Sequence, residues 1–374
     1  MNQINRRQFS LSIAATVGAL ASQSAVAQSG SIPIGVIFPT KSIVGRQGEQ
    51  GAQIAADLIN TDGGVLNGKT IKLVVYDSNF SPVEGAAAVQ RMLSQDGVRI
   101  VTGEISSTVA FAVIPIAQSE NALLMLAMPK HSDITKSGYE GVFRLNTTTV
   151  MDESSFFDYI LKTVNPVKIA FLVQNDDYGL TSLEDAKKFF GSRVVFTDIF
   201  EVKQSDFSAM ASNVRGTGAD LVVITAANPE QSGNLIKSMA DLGFNPKRAL
   251  MPGMLNNDFP KVAGKAGEGV FSEDIYAPTI DNDVNKRFVK AYEEKYKATP
   301  GKIEALAFES VWFPALAIKK AGTATDMKKI AQTLKANTWL GPRGNVVFDA
   351  TGQASSSNLY HIEVKNGQAI GTRR

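Results

Sequence analysis

From residue 31 onward, short runs of β-branched and apolar residues alternate with longer stretches whose apolar positions recur every three or four residues. The short runs have the length and uniform hydrophobicity of strands buried on both faces, and the longer ones have the period of amphipathic helices. Their alternation is the mark of a parallel α/β fold. The strand-like runs are "IPIGVIF" (32–38), "IKLVVYDS" (71–78), "VRIVTGE" (98–104), "LLMLAM" (123–128), "KIAFLVQ" (168–174), "VVFTDIF" (194–200), "DLVVITA" (220–226), "RALMPG" (248–253) and "GVFSEDIYA" (269–277). Helical periodicity covers 46–60, 82–96, 108–120, 152–164, 179–190, 205–216, 230–242, 284–297, 303–321 and 326–336. After the last helix, "GNVVFDATGQ" and "SSNLYHIEVKNGQAI" predict a pair of hairpins.

So many strands overfill one sheet covered on both faces, which predicts two doubly wound lobes. No Pro/Ser-rich linker parts them, so the chain is expected to cross between lobes several times through short hinge segments.

The 374 residues are 44% hydrophobic, enough to bury the core of about two domains. The 38 basic and 36 acidic residues leave a net charge of +2 with no long run of either sign, so no footprint for nucleic acid is present. The N-terminal "MNQINRRQFSLSIAATVGALASQSAVAQSG" has the charged, apolar and small-residue parts of a secretory signal, with cleavage expected after Ala27. Arg6-Arg7 followed by Phe9 and Leu11 resembles the twin-arginine class. No later segment carries the roughly eighteen consecutive apolar residues that span a bilayer. Zero cysteines exclude disulfides, thiol catalysis and a lipidated cysteine. The expectation is an exported, periplasmic protein that is neither membrane-embedded nor a lipoprotein.

"GGVLNGKT" (63–70) satisfies the phosphate-loop pattern, but a helix precedes it and a strand follows, the reverse of the order that aims a helix N-terminus at phosphate. It predicts a helix-to-strand turn with Lys69 in solvent. His131 and His361 are the two histidines, and no Gly-x-Ser-x-Gly elbow is present. No ligand cluster for a metal stands out, and no cofactor or catalytic residue is expected. A serine hydrolase using Ser107 would require one of those histidines beside it.

"GEISSTVAFAVIPIAQ" (103–118) puts Ser106, Ser107 and Thr108 between a strand end and a helix start. Hydroxyls and free N–H groups there suit a carboxylate, while a serine capping its own helix accounts for the pattern equally well. In "AMPKHSDIT" (127–135), Lys130 follows a buried-type strand, where it is either an anion partner or a solvated charge. Asp176-Asp177 suggests a solvated turn before Tyr178. Asn228 suits a turn or cap, and Phe308 a helix core.

The ordered stretches "IPIGVIFPTKSIVGRQGEQGAQIAADLINTDGGVLNGKTIKLVVYDSNFSP", "GEISSTVAFAVIPIAQ", "DDYG", "DFSAMASNVRGTGADLVVITAANPEQSGNLIKSMADLGF" and "FESVWFPALAIKKAG" resemble the leucine/isoleucine/valine-type periplasmic solute-binding proteins of ABC importers. The resemblance implies a type I periplasmic binding protein: two doubly wound lobes, three hinge crossings and a ligand in the interlobe cleft, with closure reporting occupancy to the permease, which works with ATPase subunits. Crossings are expected near 148–151, 274–279 and 343–349, giving one lobe from 28–149 plus 278–345 and another from 150–277 plus 346–374. A ligand-sensing subunit on the same fold is the alternative.

The resemblance places Ser107 on the ligand carboxylate with Ser106 and Thr108 beside it, Met128 and Lys130 at neighbouring contacts, Tyr178 in the cleft and Phe308 near the hinge. Gly253 stands where leucine-type binders place a glutamate for the α-ammonium, Val44 where they have an aromatic and Ala227 where they have a tyrosine. Either another acid substitutes (Glu273, Glu230 or Asp258), or the ligand lacks that ammonium. With Lys130 in the cleft, a small carboxylate with an apolar or aromatic body is the expected ligand.

Overall fold

The computed structural model describes residues 30–226, 228–355 and 359–374, so the expected export segment 1–27 and Ala227 lie outside the described residues. The first part runs β1 (Ser31–Phe38), α1 (Ile43–Thr61), β2 (Thr70–Asp77), α2 (Pro82–Ser94), β3 (Ile100–Gly103), α3 (Ser107–Ser119), β4 (Leu123–Leu126) and β5 (Val142–Arg144). Next come α4 (Thr149–Tyr159), β6 (Ile169–Gln174), α5 (Asp177–Phe190), β7 (Val194–Phe200), α6 (Ser208–Gly216), β8 (Leu221–Thr225), α7 (Pro229–Asp241), β9 (Lys247–Leu250), α8 (Phe259–Ala263) and β10 (Phe271–Asp274). The chain continues through α9 (Asp283–Tyr296), α10 (Lys302–Ala321), α11 (Met327–Lys335), β11 (Trp339–Gly341), β12 (Gly344–Phe348) and β13 (Ala354–Ser355), and finishes with β14 (Tyr360–Lys365) and β15 (Gln368–Arg373).

The first sheet, in order β2-β1-β3-β4-β5, is parallel throughout. The second, β15-β14-β10-β9-β8-β6-β7, is parallel from β7 to β10 and ends in an antiparallel hairpin. β3, β4, β6 and β8 are buried along their whole length because helices cover both faces. Each lobe accordingly has two apolar clusters, one per sheet face. In lobe 1 they join α1 and α10 on one side and α2 and α3 on the other. In each sheet the winding direction reverses beside its first strand, β1 or β6, and the loops after the strands there open towards the crevice between the lobes.

The turn at 63–70 joins α1 to β2 with Lys69 exposed and with Gly63, Gly64 and Gly68 at positive φ, so it is no phosphate cradle. The short β5 and β11 were not legible as runs. The expected third boundary needs correction. Val346, Phe348 and Ala354 pack into the first lobe's core, so β12 and β13 belong with lobe 1, whereas β14 pairs with β10 in lobe 2. Arg144 Nε donates to Gln353 Oε1 at 2.6 Å, and Gln353 Nε2 donates to Asn146 O at 2.8 Å. A buried Arg343–Glu309 ion pair at 2.7 Å adds an Arg343 Nη1 bond of 3.0 Å to Leu145 O. These bonds tie 343–353 to lobe 1 beside the first crossing. The two hairpins therefore go to different lobes.

Candidate ligand-binding cleft

Ser106 and Ser107 divide the work left open by their pattern. Ser106 is the N-cap of α3, its hydroxyl accepting from Val109 N at 3.4 Å. Ser107 Oγ accepts from Lys130 N at 3.3 Å and His131 N at 3.2 Å, which pins the loop after β4 to α3 and keeps its O–H as a donor. Both serines are buried. The loop before them is held in an unusual conformation: Glu104 sits at φ 63° while its carboxylate accepts from Ile105 N and Ser106 N, each at 2.8 Å. Complete burial raises the Glu104 carboxyl to about 7, against the opposing pull of those N–H groups.

These loops and their counterparts in lobe 2 line a cleft that opens to solvent. Ser106, Ser107, Met128, Lys130, Tyr178 and Gly253 all line it. Thr108 stands at its edge, its Oγ1 donating to Asp177 Oδ2 across the lobes at 2.7 Å. The cleft also takes in Phe80, Asn146 and Asp176, which sequence reasoning missed. Asn146 Nδ2 donates to Met128 O at 2.7 Å. Asp176 is the N-cap of α5, accepting from Gly179 N at 2.7 Å and Gln174 Nε2 at 2.8 Å, and burial pushes it up to about 6. The expected solvated turn at Asp176-Asp177 is thus corrected: it is a helix start that faces the opposite lobe, and both residues are half-buried there.

Lys130 is neither solvated nor a simple anion hook. Its ammonium pairs with Asp152 and donates to Pro252 O, both in lobe 2, and lies 5.7 Å from the Tyr178 ring centre. Burial lowers it to about 8, with Asp152 opposing that shift and neighbouring Lys302 reinforcing it. Lys302, at the start of α10, pairs with Asp274 of lobe 2 at 3.3 Å, and both side chains are buried. Gly253 has φ +77°, and a Cβ there would overlap the Lys302 ammonium and stand 3.6 Å from that of Lys130. Lys302 was also missed. A cation in the first turn of a helix opposes the dipole, and that mismatch was its signal in the sequence.

The remaining candidates fall elsewhere. Phe308 is fully buried in the lobe 1 core, its ring 4.9 Å from Phe288 and 5.1 Å from Trp312, so α10 directs it away from the cleft. Asn228 caps α7, accepting from Glu230 N at 3.1 Å, and neither residue lines the cleft. Glu273 is buried on β10 and paired with Arg374. Asp258 pairs with Lys261 at 2.6 Å and receives a bond from Gln47 of the facing lobe. Each of these acids is engaged away from the cleft lining. Val44 is core.

No nucleophile–base pair forms at Ser107. His131 reaches it through the backbone amide, while its ring accepts from Asp133 N at 3.2 Å and packs edge-on to Phe111. His361 packs on Tyr159 and Phe271 in lobe 2. Among the described residues no cluster suited to a metal ion occurs, and no helix is long and apolar enough to cross a membrane.

Two parallel α/β lobes, joined by hinge strands and enclosing a polar-rimmed cleft with buried hydroxyls, define a ligand-capturing protein of the type I periplasmic binding class. The chain belongs to the periplasmic binding protein family, whose model matches residues 31–369. The leucine-, isoleucine-, valine-, threonine- and alanine-binding protein of Pseudomonas aeruginosa is 28% identical, over 94% of each chain. The crystal structure of a leucine-binding protein from Thermotoga maritima superposes with a TM-score of 0.81 at 25% identity, covering 91% of this chain and 97% of that one. A solute-binding protein of an ABC transporter from R. palustris, solved with benzoate, gives 0.84 at 20% identity, over 92% and 96% of the two chains. The family consists of non-enzymatic transport components that bind small solutes.

Proposed function

We propose that this chain is exported to the periplasm, captures a small carboxylate between its lobes and delivers it by lobe closure to the permease of an ABC importer. The observation that carries the ligand class is Gly253, whose missing side chain leaves its place to the Lys302 ammonium, beside that of Lys130. An α-ammonium brought there would meet two cations whose acid partners, Asp152 and Asp274, are already engaged, and burying it unpaired is costly. Ser107 O–H and the N-terminus of α3 supply donors for a carboxylate on the opposite wall. The fold itself does not choose, because it serves a leucine-binding protein and a benzoate complex alike.

Asp176 favours a second reading. It is a carboxylate on the cleft wall and would accept an ammonium if the ligand were an amino acid.

A thermal-shift screen of residues 28–374 against leucine, valine, amides, aliphatic acids and benzoate separates the two readings. A ligand at about 100 times its Kd stabilises the folded state by about 2.7 kcal/mol. A shift with simple acids and none with leucine or valine supports the carboxylate reading. A shift with leucine or valine alone transfers the role to Asp176.

A further inference from the structure

Beside Gly253 a second pocket adjoins the cleft, lined in part by Asn257, Asp274, Tyr276 and Lys302. The two spaces share Gly253, Asn256 and Ile303. At Gly253 the wall between them is only backbone and the Lys302 ammonium, which occupies the place a Cβ would take. Positive φ at 253 favours the glycine, so this thin wall is built into the backbone.

The two lysines at this passage are not equivalent. Lys130 reaches across to Asp152 and to Pro252 O, so its donors serve contacts between the lobes. Lys302 carries three N–H donors, and among the described residues Asp274 is the acid it pairs with, at the long distance of 3.3 Å. It is buried, with a side-chain exposure of 3%. Burial also raises the Asp274 carboxyl, so Asp274 is a weaker competitor for the cation than a solvated aspartate. A buried ammonium that lines the second pocket, set beside a bare glycine that also lines the cleft, is a recognition element for an acceptor-rich group.

We infer that the ligand is a dicarboxylate, with one carboxylate at Ser106–Ser107 and the N-terminus of α3, and the second reaching past Gly253 to Lys302. This rests on the carboxylate reading above and narrows it. Lys302 then determines specificity, because a second carboxylate gains a charge-assisted bond there and a monocarboxylate leaves the ammonium with Asp274 alone.

Isothermal titration of the mature protein with succinate, glutarate and adipate, each against the monocarboxylate of equal chain length (butyrate, valerate, hexanoate), tests the inference. At least one dicarboxylate is expected to bind about tenfold or more tightly than its partner. In the Lys302→Met variant that ratio falls towards one. Asp274→Asn is introduced in the same chain, so that no buried carboxylate loses its cation. Monocarboxylates binding as tightly as dicarboxylates overturn the inference and leave the carboxylate reading intact. A ratio that survives Lys302→Met removes Lys302 from the account. Leucine binding with no acid of either kind bound overturns both.

Discussion

Thr108 Oγ1 donates to Asp177 Oδ2 at 2.7 Å, and this bond joins the first turn of α3 in lobe 1 to the first turn of α5 in lobe 2. It spans the rim of the cleft next to Ser107 and Tyr178, so it is made when the lobes meet. Hydrogen bonds to charged groups add more than neutral ones, though solvent at the rim reduces the gain. Thr108→Val should therefore weaken ligand binding roughly fivefold, about 1 kcal/mol, and enlarge the radius of gyration seen by small-angle scattering at subsaturating ligand. An unchanged affinity would show that closure does not depend on this bond.

The Lys130–Asp152 pair makes the same connection deeper in the cleft. Removing one partner of a buried pair costs up to about 3–5 kcal/mol, because a charge stays buried alone. Lys130→Met should disfavour the closed form by as much as that, less whatever water regains in the open form. Asp152→Asn in the same chain should restore much of the loss. A double variant no better than the single one, in titration calorimetry, would separate Asp152 from the effect.

Glu104 sets a pH dependence. Its carboxyl is raised from 4.5 to about 7 in the folded chain, so between those values the folded state holds more protons than the unfolded state. Stability then falls as pH rises through that window, and the favourable contribution is complete only below about 4.5. Glu104→Gln keeps an acceptor for Ile105 N and Ser106 N and cannot ionise. It should raise stability at pH 8 by on the order of 2–3 kcal/mol and flatten the slope of Tm between pH 5 and 7. Equal slopes in the two proteins would show that Glu104 titrates normally.

Phe308 provides a contrast, since it is core and not cleft. Phe308→Ala should cost about 3–5 kcal/mol of stability through the cavity it leaves among Phe288, Trp312 and their neighbours. The preference among bound acids and amino acids should stay the same. Urea denaturation and a competition titration measure the two effects, and altered selectivity at unchanged stability would return Phe308 to the site.

Most of the strands and helices were legible because a parallel sheet covered on both faces imprints continuous apolar runs, and its helices imprint a 3.6-residue period. Every helical stretch expected from that period is a helix here. The serine loop stood out because strand ends in such sheets are where ligands meet the chain, and Gly253 only through the family resemblance; both line the cleft. The division of labour between Ser106 and Ser107 was not, since both patterns demand a hydroxyl and only the position of the neighbouring loop separates them.

What the sequence by itself determined is local and periodic: the α/β class, the two-lobe division, the turn at 63–70 and the residue types gathered near the cleft. Tertiary structure alone decided which charges meet. Lys130 and Asp152, Lys302 and Asp274, and Thr108 and Asp177 belong to opposite lobes, and sequence separation carries no information about such pairs. The assignment of 346–354 to lobe 1 was equally hidden, because hairpins look alike whichever core they cover and only packing against Phe143 and Phe313 placed this one.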